Sequence, residues 1–169
     1  KWKSPDLKVD QDTIFAYLED QIKESKVFEE GGSLKNGRAN SKIYLEGKYV
    51  DGYKAHACME THAATCYFEG DKLTMWVSTQ TPFGTRSQVA KELNMPEEKV
   101  HVKQIFLGGG FGGKGFNSQA VEAALIAKKI GKPVQLAFTR KEEFFYNRFR
   151  TAALINVGAG VDEKGKLTA

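Results

Sequence analysis

The run Gly108-Gly109-Gly110-Phe111-Gly112-Gly113-Lys114 carries the strongest chemical signal in the sequence. Five glycines in six positions strip the stretch of nearly all its Cβ atoms, so the backbone can take positive φ and bring its N–H groups against a ligand. A helix N-terminus beyond it would add positive potential suited to phosphate or another anion. A tight turn rarely needs five glycines, so ligand contact is the expectation. Gly108, Gly110 and Gly113 satisfy G-x-G-x-x-G, but no carboxylate lies between Glu122 and Glu142 to hold a ribose. Gly108, Gly113 and Lys114 nearly satisfy the P-loop pattern, yet Gly115 stands where a Ser or Thr hydroxyl must hold magnesium. Both nucleotide motifs fail at the residue that does chemistry. A phosphate- or nucleotide-binding module using this loop and Lys114 stays open as the alternative.

His56, Cys58, Glu60, His62 and Cys66 are all potential metal ligands, and the first four alternate. In a continuous strand they would share a face, but at about 3.3 Å per residue positions 56 and 62 would lie roughly 20 Å apart. Zinc needs its donors within about 2.0–2.3 Å, so at most two neighbours could share an ion, and packing is the expected role. No Ser/His/Asp or Cys/His nucleophile follows from spacing among three histidines, of which His101 sits in a strand. Gln80, in Ser78-Thr79-Gln80-Thr81-Pro82-Phe83, can both donate and accept hydrogen bonds, a weak signal taken alone.

The elements that must hold these residues are legible in the pattern. Ile14, Phe15, Leu18 and Ile22 fall at helical spacing across Asp12–Lys23. Val27–Asn40, rich in Gly, Ser, Asn and charge, reads as a linker or loop. Ile43–Tyr53 is strand-like, and Ala63–Phe68 and Leu73–Ser78 form a hairpin across a Gly-containing turn. A short helix with Val89, Ala90 and Leu93 stops before Pro96. Lys99–Leu107 reads as a strand that runs into the glycines. Asn117 or Ser118 then caps a helix to Ile130, rich in small residues and ended by Gly131 and Pro133. Val134–Phe138 is a buried-type strand. Thr139 and Glu142 fit a capping box that opens a helix to about Tyr146. Ala152–Val161 is a strand, followed by a turn at Asp162–Gly165. The alternation predicts an α/β layered domain of sheet and helices, with α+β as the other arrangement. Residues 1–40 read as a helix and linker, and 41–169 as the first part of a domain.

The 169 residues fit one domain, or part of something larger, and can bury a genuine core. A net charge of +4, with both signs dispersed, does not suggest a nucleic-acid partner. The densest basic stretch, Lys128-Lys129 with Lys132, sits at a helix end, where cations complement the dipole. No apolar run of about 18 residues spans a membrane. Two cysteines cannot build a disulfide framework, so a reducing compartment, by default the cytoplasm, is expected. The start at Lys1 without Met, and the end in what reads as mid-strand, suggest a piece of a longer chain.

Taken in order, Ala55–Ala64 (AHACMETHAA), Val77–Val102 (VSTQTPFGTRSQVAKELNMPEEKVHV), GGGFGGK, the Ala-rich helix and Arg140–Glu143 (RKEE) resemble the molybdenum cofactor subunit of the xanthine dehydrogenase and aldehyde oxidase family, the molybdenum hydroxylases. The resemblance runs from about Tyr44 to the end and, more loosely, over the N-terminal helix. It implies an oxidoreductase that hydroxylates an aldehyde or N-heterocycle with oxygen from water, passing electrons to iron–sulfur and FAD centres on other domains or subunits. It implies that Gln80 hydrogen-bonds an oxo ligand of molybdenum and that Gly110, Phe111, Gly112 and Gly113 lie against the molybdenum–molybdopterin centre. No residue here would ligate the metal directly, and the general base would lie outside this chain. Gly115 stands where xanthine-oxidising members carry a glutamate, which disfavours xanthine, and Met59-Glu60-Thr61 lacks the frequent M-E-P proline. The partners implied are the rest of the molybdenum subunit and the iron–sulfur and flavin units. These residues alone are expected neither to hold the cofactor tightly nor to catalyse.

Overall fold

In the computed structural model, which describes residues 9–169, the elements run α1 (Ile14–Asp20), α2 (Leu34–Ala39), β1 (Ile43–Asp51), β2 (Lys54–Ala55), β3 (Ala63–Glu69), β4 (Lys72–Val77), α3 (Pro82–Leu93) and β5 (Val100–Gln104). After the glycine-rich stretch come α4 (Ser118–Ile130), β6 (Val134–Ala137), α5 (Arg140–Tyr146), β7 (Phe149–Arg150) and β8 (Ala153–Val161). The chain groups into two units: the residues up to Lys54 with Thr151–Ala169, and Ala55–Arg150.

In the first unit β1 and β8 pair antiparallel from Ile43 opposite Val161 to Asp51 opposite Ala153, and α1 packs on β8. Helix α1 stops at Asp20 rather than Lys23. Ile22 is exposed, so no burial rewards another turn. Within the expected loop Val27–Asn40, α2 forms because Ser33 caps it, its hydroxyl accepting the Asn36 N–H at 3.3 Å. At the chain end the expected strand is a single bridge between Val161 and Leu167.

The second unit holds a four-stranded sheet in the order β5-β4-β3-β6. β3 pairs antiparallel with β4 and with β6, whereas β4 and β5 are parallel, joined through α3 as a β-α-β unit. The hairpin turns at Gly70, in the left-handed region with φ +61°. Cys66 stands opposite both Met75 and Val134, and Leu73 opposite Val100, so alternate residues form one buried face. Helices α3 and α4 cover it, α4 presenting Ala120, Ala123, Ala124 and Ala127, whose small side chains allow close approach. Each large side chain buried here contributes about 1.5–3 kcal/mol. On the other face Tyr67 stacks on Trp76 with ring centroids 5.9 Å apart.

Several boundaries differ from the sequence pattern for local reasons. Glu97–Lys99 form a 3-10 turn and the sheet pairing ends at Gln104, so Ile105–Leu107 run free of β5. β6 alternates half-buried and exposed positions, as an edge strand must, and is not buried along its length. Asn117 occupies the N-cap position of α4 but makes no capping bond, because its Oδ1 accepts from the Gln119 amide at 3.2 Å while its Nδ2 donates to Thr79. The capping box at Thr139 and Glu142 is present in full. Among the described residues no helix is long and apolar enough to cross a membrane.

The fold places two segments side by side. Ser78–Thr81 leaves the carboxyl end of β4, and the glycine-rich stretch follows the carboxyl end of the adjacent parallel strand β5. Ligand sites of open α/β sheets form in such a place.

Candidate functional site

Gln80 lies against the glycine-rich loop. Its backbone N–H donates to the Lys114 carbonyl at 2.9 Å, and its side-chain Oε1 accepts the Gly112 N–H at 3.0 Å. An N–H can only donate, so the amide orientation is fixed and Nε2 is left as a donor with no protein partner among the described residues. The approach is close: a Cβ on Gly110 would stand 2.6 Å from Cδ of Gln80. Gly109, Phe111 and Gly112 all have positive φ, at +97°, +50° and +95°. Phe111 is thus a bulky residue in a region few side chains occupy, with its ring exposed. Gly113 N–H closes the loop onto the Gly110 carbonyl at 2.8 Å. The N–H groups of Gly109, Gly110 and Phe111 have no protein acceptor among the described residues. Gln80, Gly110, Phe111, Gly112 and Gly113, which the family resemblance singles out, are brought together by the fold.

The alternating residues His56, Cys58 and Glu60 form the ledge beneath this loop. A Cβ on Gly113 would lie 2.9 Å from Cγ of His56, one on Gly109 3.4 Å from Cβ of Cys58, and one on Gly108 would overlap Cβ of Glu60. The segment is no continuous strand, for Ala57 has φ +46°. Among the described residues no group of three or more His, Cys, Asp or Glu stands close enough to hold a metal ion. Burial pushes the Cys66 thiol up to about 11, which suits a core residue rather than a nucleophile.

Lys114 is fully buried and donates to Glu60 Oε2 at 2.6 Å. The same oxygen accepts the Gly108 N–H at 2.9 Å, and Glu60 N–H donates to the Gly108 carbonyl at 3.1 Å. One carboxylate thereby ties the first residue of the loop to the last. This removes the residue on which a nucleotide reading rests, because Lys114 faces inward to Glu60 and has no path to a phosphate. A 3-10 turn at Gly113–Gly115 also separates the loop from α4.

Further supports come from residues whose role no spacing reveals. Thr79 Oγ1 accepts from the Asn117 amide at 2.9 Å and the Thr81 N–H at 3.0 Å, and lies 3.1 Å from Thr85 Oγ1. Arg140 donates to the carbonyls of Cys58 at 2.6 Å and Met59 at 3.0 Å. Glu143 receives His62, described below.

Burial acts to raise the Glu60 carboxyl, but the Lys114 ammonium, the Gly108 N–H and the charge of His62 outweigh it and hold the group below the ordinary carboxylate range. Burial likewise opposes ionisation of Glu143, and there the N–H and ring of His62 with the Asn147 amide prevail, again lowering it. A carboxyl depressed in the folded state stabilises above its unfolded value and loses that contribution as pH falls through the folded one. The melting temperature of the full-length protein is therefore expected to hold near neutrality and fall below about pH 4. The gap between wild type and Glu60→Gln should shrink over the same interval, since protonation makes the two alike. A gap that stays constant down to acid pH would contradict this.

The family profile described as "Molybdopterin cofactor-binding domain" matches residues 18–169. The chain belongs to that family. Its relatives include the aldehyde oxidoreductase molybdenum-binding subunit PaoC of Escherichia coli (strain K12), 34% identical over 139 residues, which cover 82% of this chain and 19% of that protein. The xanthine dehydrogenase/oxidase of Mus musculus is 31% identical over 144 residues, or 83% of this chain and 11% of that one. Among solved structures, quinoline 2-oxidoreductase from Pseudomonas putida 86 superposes with a TM-score of 0.70 at 27% identity, covering 80% of this chain and 18% of that chain. The aldehyde oxidoreductase from Desulfovibrio gigas gives 0.72 at 21% identity over 81% of this chain and 15% of that one, a likeness of fold. This molybdopterin-binding domain chain thus spans a fifth or less of the length of these relatives.

Proposed function

We propose that the full-length protein carrying this chain is a molybdenum-dependent oxidoreductase that hydroxylates an aldehyde or N-heterocycle with water-derived oxygen, and that this chain lends Gln80, Gly110, Phe111, Gly112 and Gly113 to the face of its molybdenum–molybdopterin cofactor. One observation carries the reading: Gln80 Oε1 is engaged by the Gly112 N–H, so Nε2 is turned out as a donor beside a loop with three unused N–H groups. That donor set suits an anionic, oxygen-rich group, and the missing Cβ of Gly110 is what lets Gln80 stand there. The residues present therefore fit the cofactor that the family implies.

When bound, the cofactor supplies the redox chemistry. The chain's own residues bind and orient. Gln80 and the N–H groups of Gly109, Gly110 and Phe111 donate hydrogen bonds, and the ledge of His56, Cys58 and Glu60 keeps the loop from recoiling. Such fixed donors cost no reorganisation at the moment of reaction. No side chain in the loop is placed to abstract a proton, so the general base belongs to another part of the protein. Iron–sulfur and FAD centres on other domains or subunits would take the electrons. Gly115, in an open position with nothing within 4 Å of a would-be Cβ, brings no carboxylate to the site, which favours an aldehyde or a heterocycle other than xanthine.

The test is elemental analysis for molybdenum on the full-length protein from its native host, with released pterin assayed beside it. About one of each per chain is expected. Well-folded protein with neither would overturn the reading.

A further inference from the structure

His62 is a buried histidine with every polar group engaged. Its N–H donates to Glu143 Oε2 at 2.9 Å, and its carbonyl accepts the Phe138 N–H at 2.9 Å. Nδ1 lies 2.9 Å from both Glu143 oxygens, and Nε2 lies 3.1 Å from the Phe116 carbonyl. A carbonyl oxygen only accepts, so Nε2 must carry a hydrogen and donate. The contact between Nδ1 and Glu143 needs a second proton, held on either partner. Asn147 fixes the rest: its Oδ1 accepts the Arg148 N–H at 2.7 Å, so its Nδ2 donates to Glu143 Oε1 at 2.9 Å.

We propose that Glu143 is a positioning residue that holds the His62 ring in the orientation whose Nε2–H latches the Phe116 carbonyl, and that this latch sets the downstream flank of the glycine-rich loop. Phe116 follows directly on the 3-10 turn Gly113–Gly115, while Glu60 holds the upstream flank at Gly108. A carboxylate that orients an imidazole ring through Nδ1 is a known division of labour in other enzymes. What the loop is positioned for rests on the cofactor reading above. The latch itself does not.

In Glu143→Gln, either amide orientation sets an NH2 against a donor, the His62 N–H or the Asn147 amide, so the arrangement cannot be preserved.

Hydrogen exchange on the full-length protein tests this. Glu143→Gln should speed exchange in peptides spanning 112–117 by at least about tenfold, as expected for loss of a buried hydrogen bond, and leave α4 peptides 123–130 unchanged. Neutron diffraction on wild type should place a deuteron on Nε2 of His62, which decides the matter even where the variant fails to fold. A bare Nε2, unaltered exchange at 112–117, or a parallel rise in α4 would overturn the proposal. Molybdenum content measured on the same wild-type samples judges the cofactor reading separately.

Discussion

Gly110→Ala in the full-length protein is expected to lower bound molybdenum and turnover by at least tenfold, about 1.4 kcal/mol or more, while Gly115→Ala leaves both at the wild-type level. The contrast isolates one contact. Neither glycine has a positive φ, so alanine meets no backbone penalty at either site. At Gly115 the new methyl enters open space. At Gly110 it would stand 2.6 Å from Cδ and Oε1 of Gln80 and 3.0 Å from Cγ, far inside van der Waals contact. Relief comes only by swinging Gln80 away, since its backbone is tied to Lys114. That breaks the bond to the Gly112 N–H and withdraws the Nε2 donor with it. Equal, near wild-type values for the two variants would mean that Gln80 does not serve the cofactor from this position.

What could be read from the sequence was whatever is written in neighbouring residues. The hairpin across Gly70, the capping box at Thr139 and Glu142, and the stop of α4 at Gly131 depend on groups within four positions of one another. The pairing of β1 with β8 does not. Ile43 meets Val161 across more than a hundred residues, so a boundary drawn near residue 40 could not anticipate a unit built from both ends of the chain. The site divides along the same line. The glycines stood out by composition, and Gln80 only by family resemblance. Glu60, Lys114, His62 and Glu143 were visible only as charged or metal-binding residue types, because the partner that decides each role lies 54 or 81 residues away. The alternation of His56, Cys58 and Glu60 was a true signal of a shared face, and what met that face was glycine backbone rather than an ion. Arg140 gave no local sign of its hold on Cys58 and Met59. A surplus of buried charges in a small domain is the hint that such pairs exist; the pairing itself is tertiary.

Glu60→Gln should loosen the loop far more than Lys114→Met, although both remove the same ion pair. The two partners are buried unequally: the Lys114 side chain has no exposed surface, whereas that of Glu60 is 31% exposed. Without Glu60's charge, Lys114 keeps its ammonium in the interior with only a neutral amide beside it, and breaking a buried pair from one side costs about 3–5 kcal/mol. Without Lys114's charge, Glu60 can turn to water while still accepting the Gly108 N–H, and methionine fills the vacated volume. The loss should then be about 1–2 kcal/mol, the scale of one hydrogen bond. Local opening at 108–114, followed by hydrogen exchange, should accelerate about a thousandfold in Glu60→Gln and about tenfold in Lys114→Met. The double variant should exchange more slowly than Glu60→Gln alone, because removing the stranded cation relieves the larger penalty. Additive effects, or a larger effect from Lys114→Met, would show that the pair is solvated and that the loop is fixed by its glycine contacts with His56 and Cys58 instead.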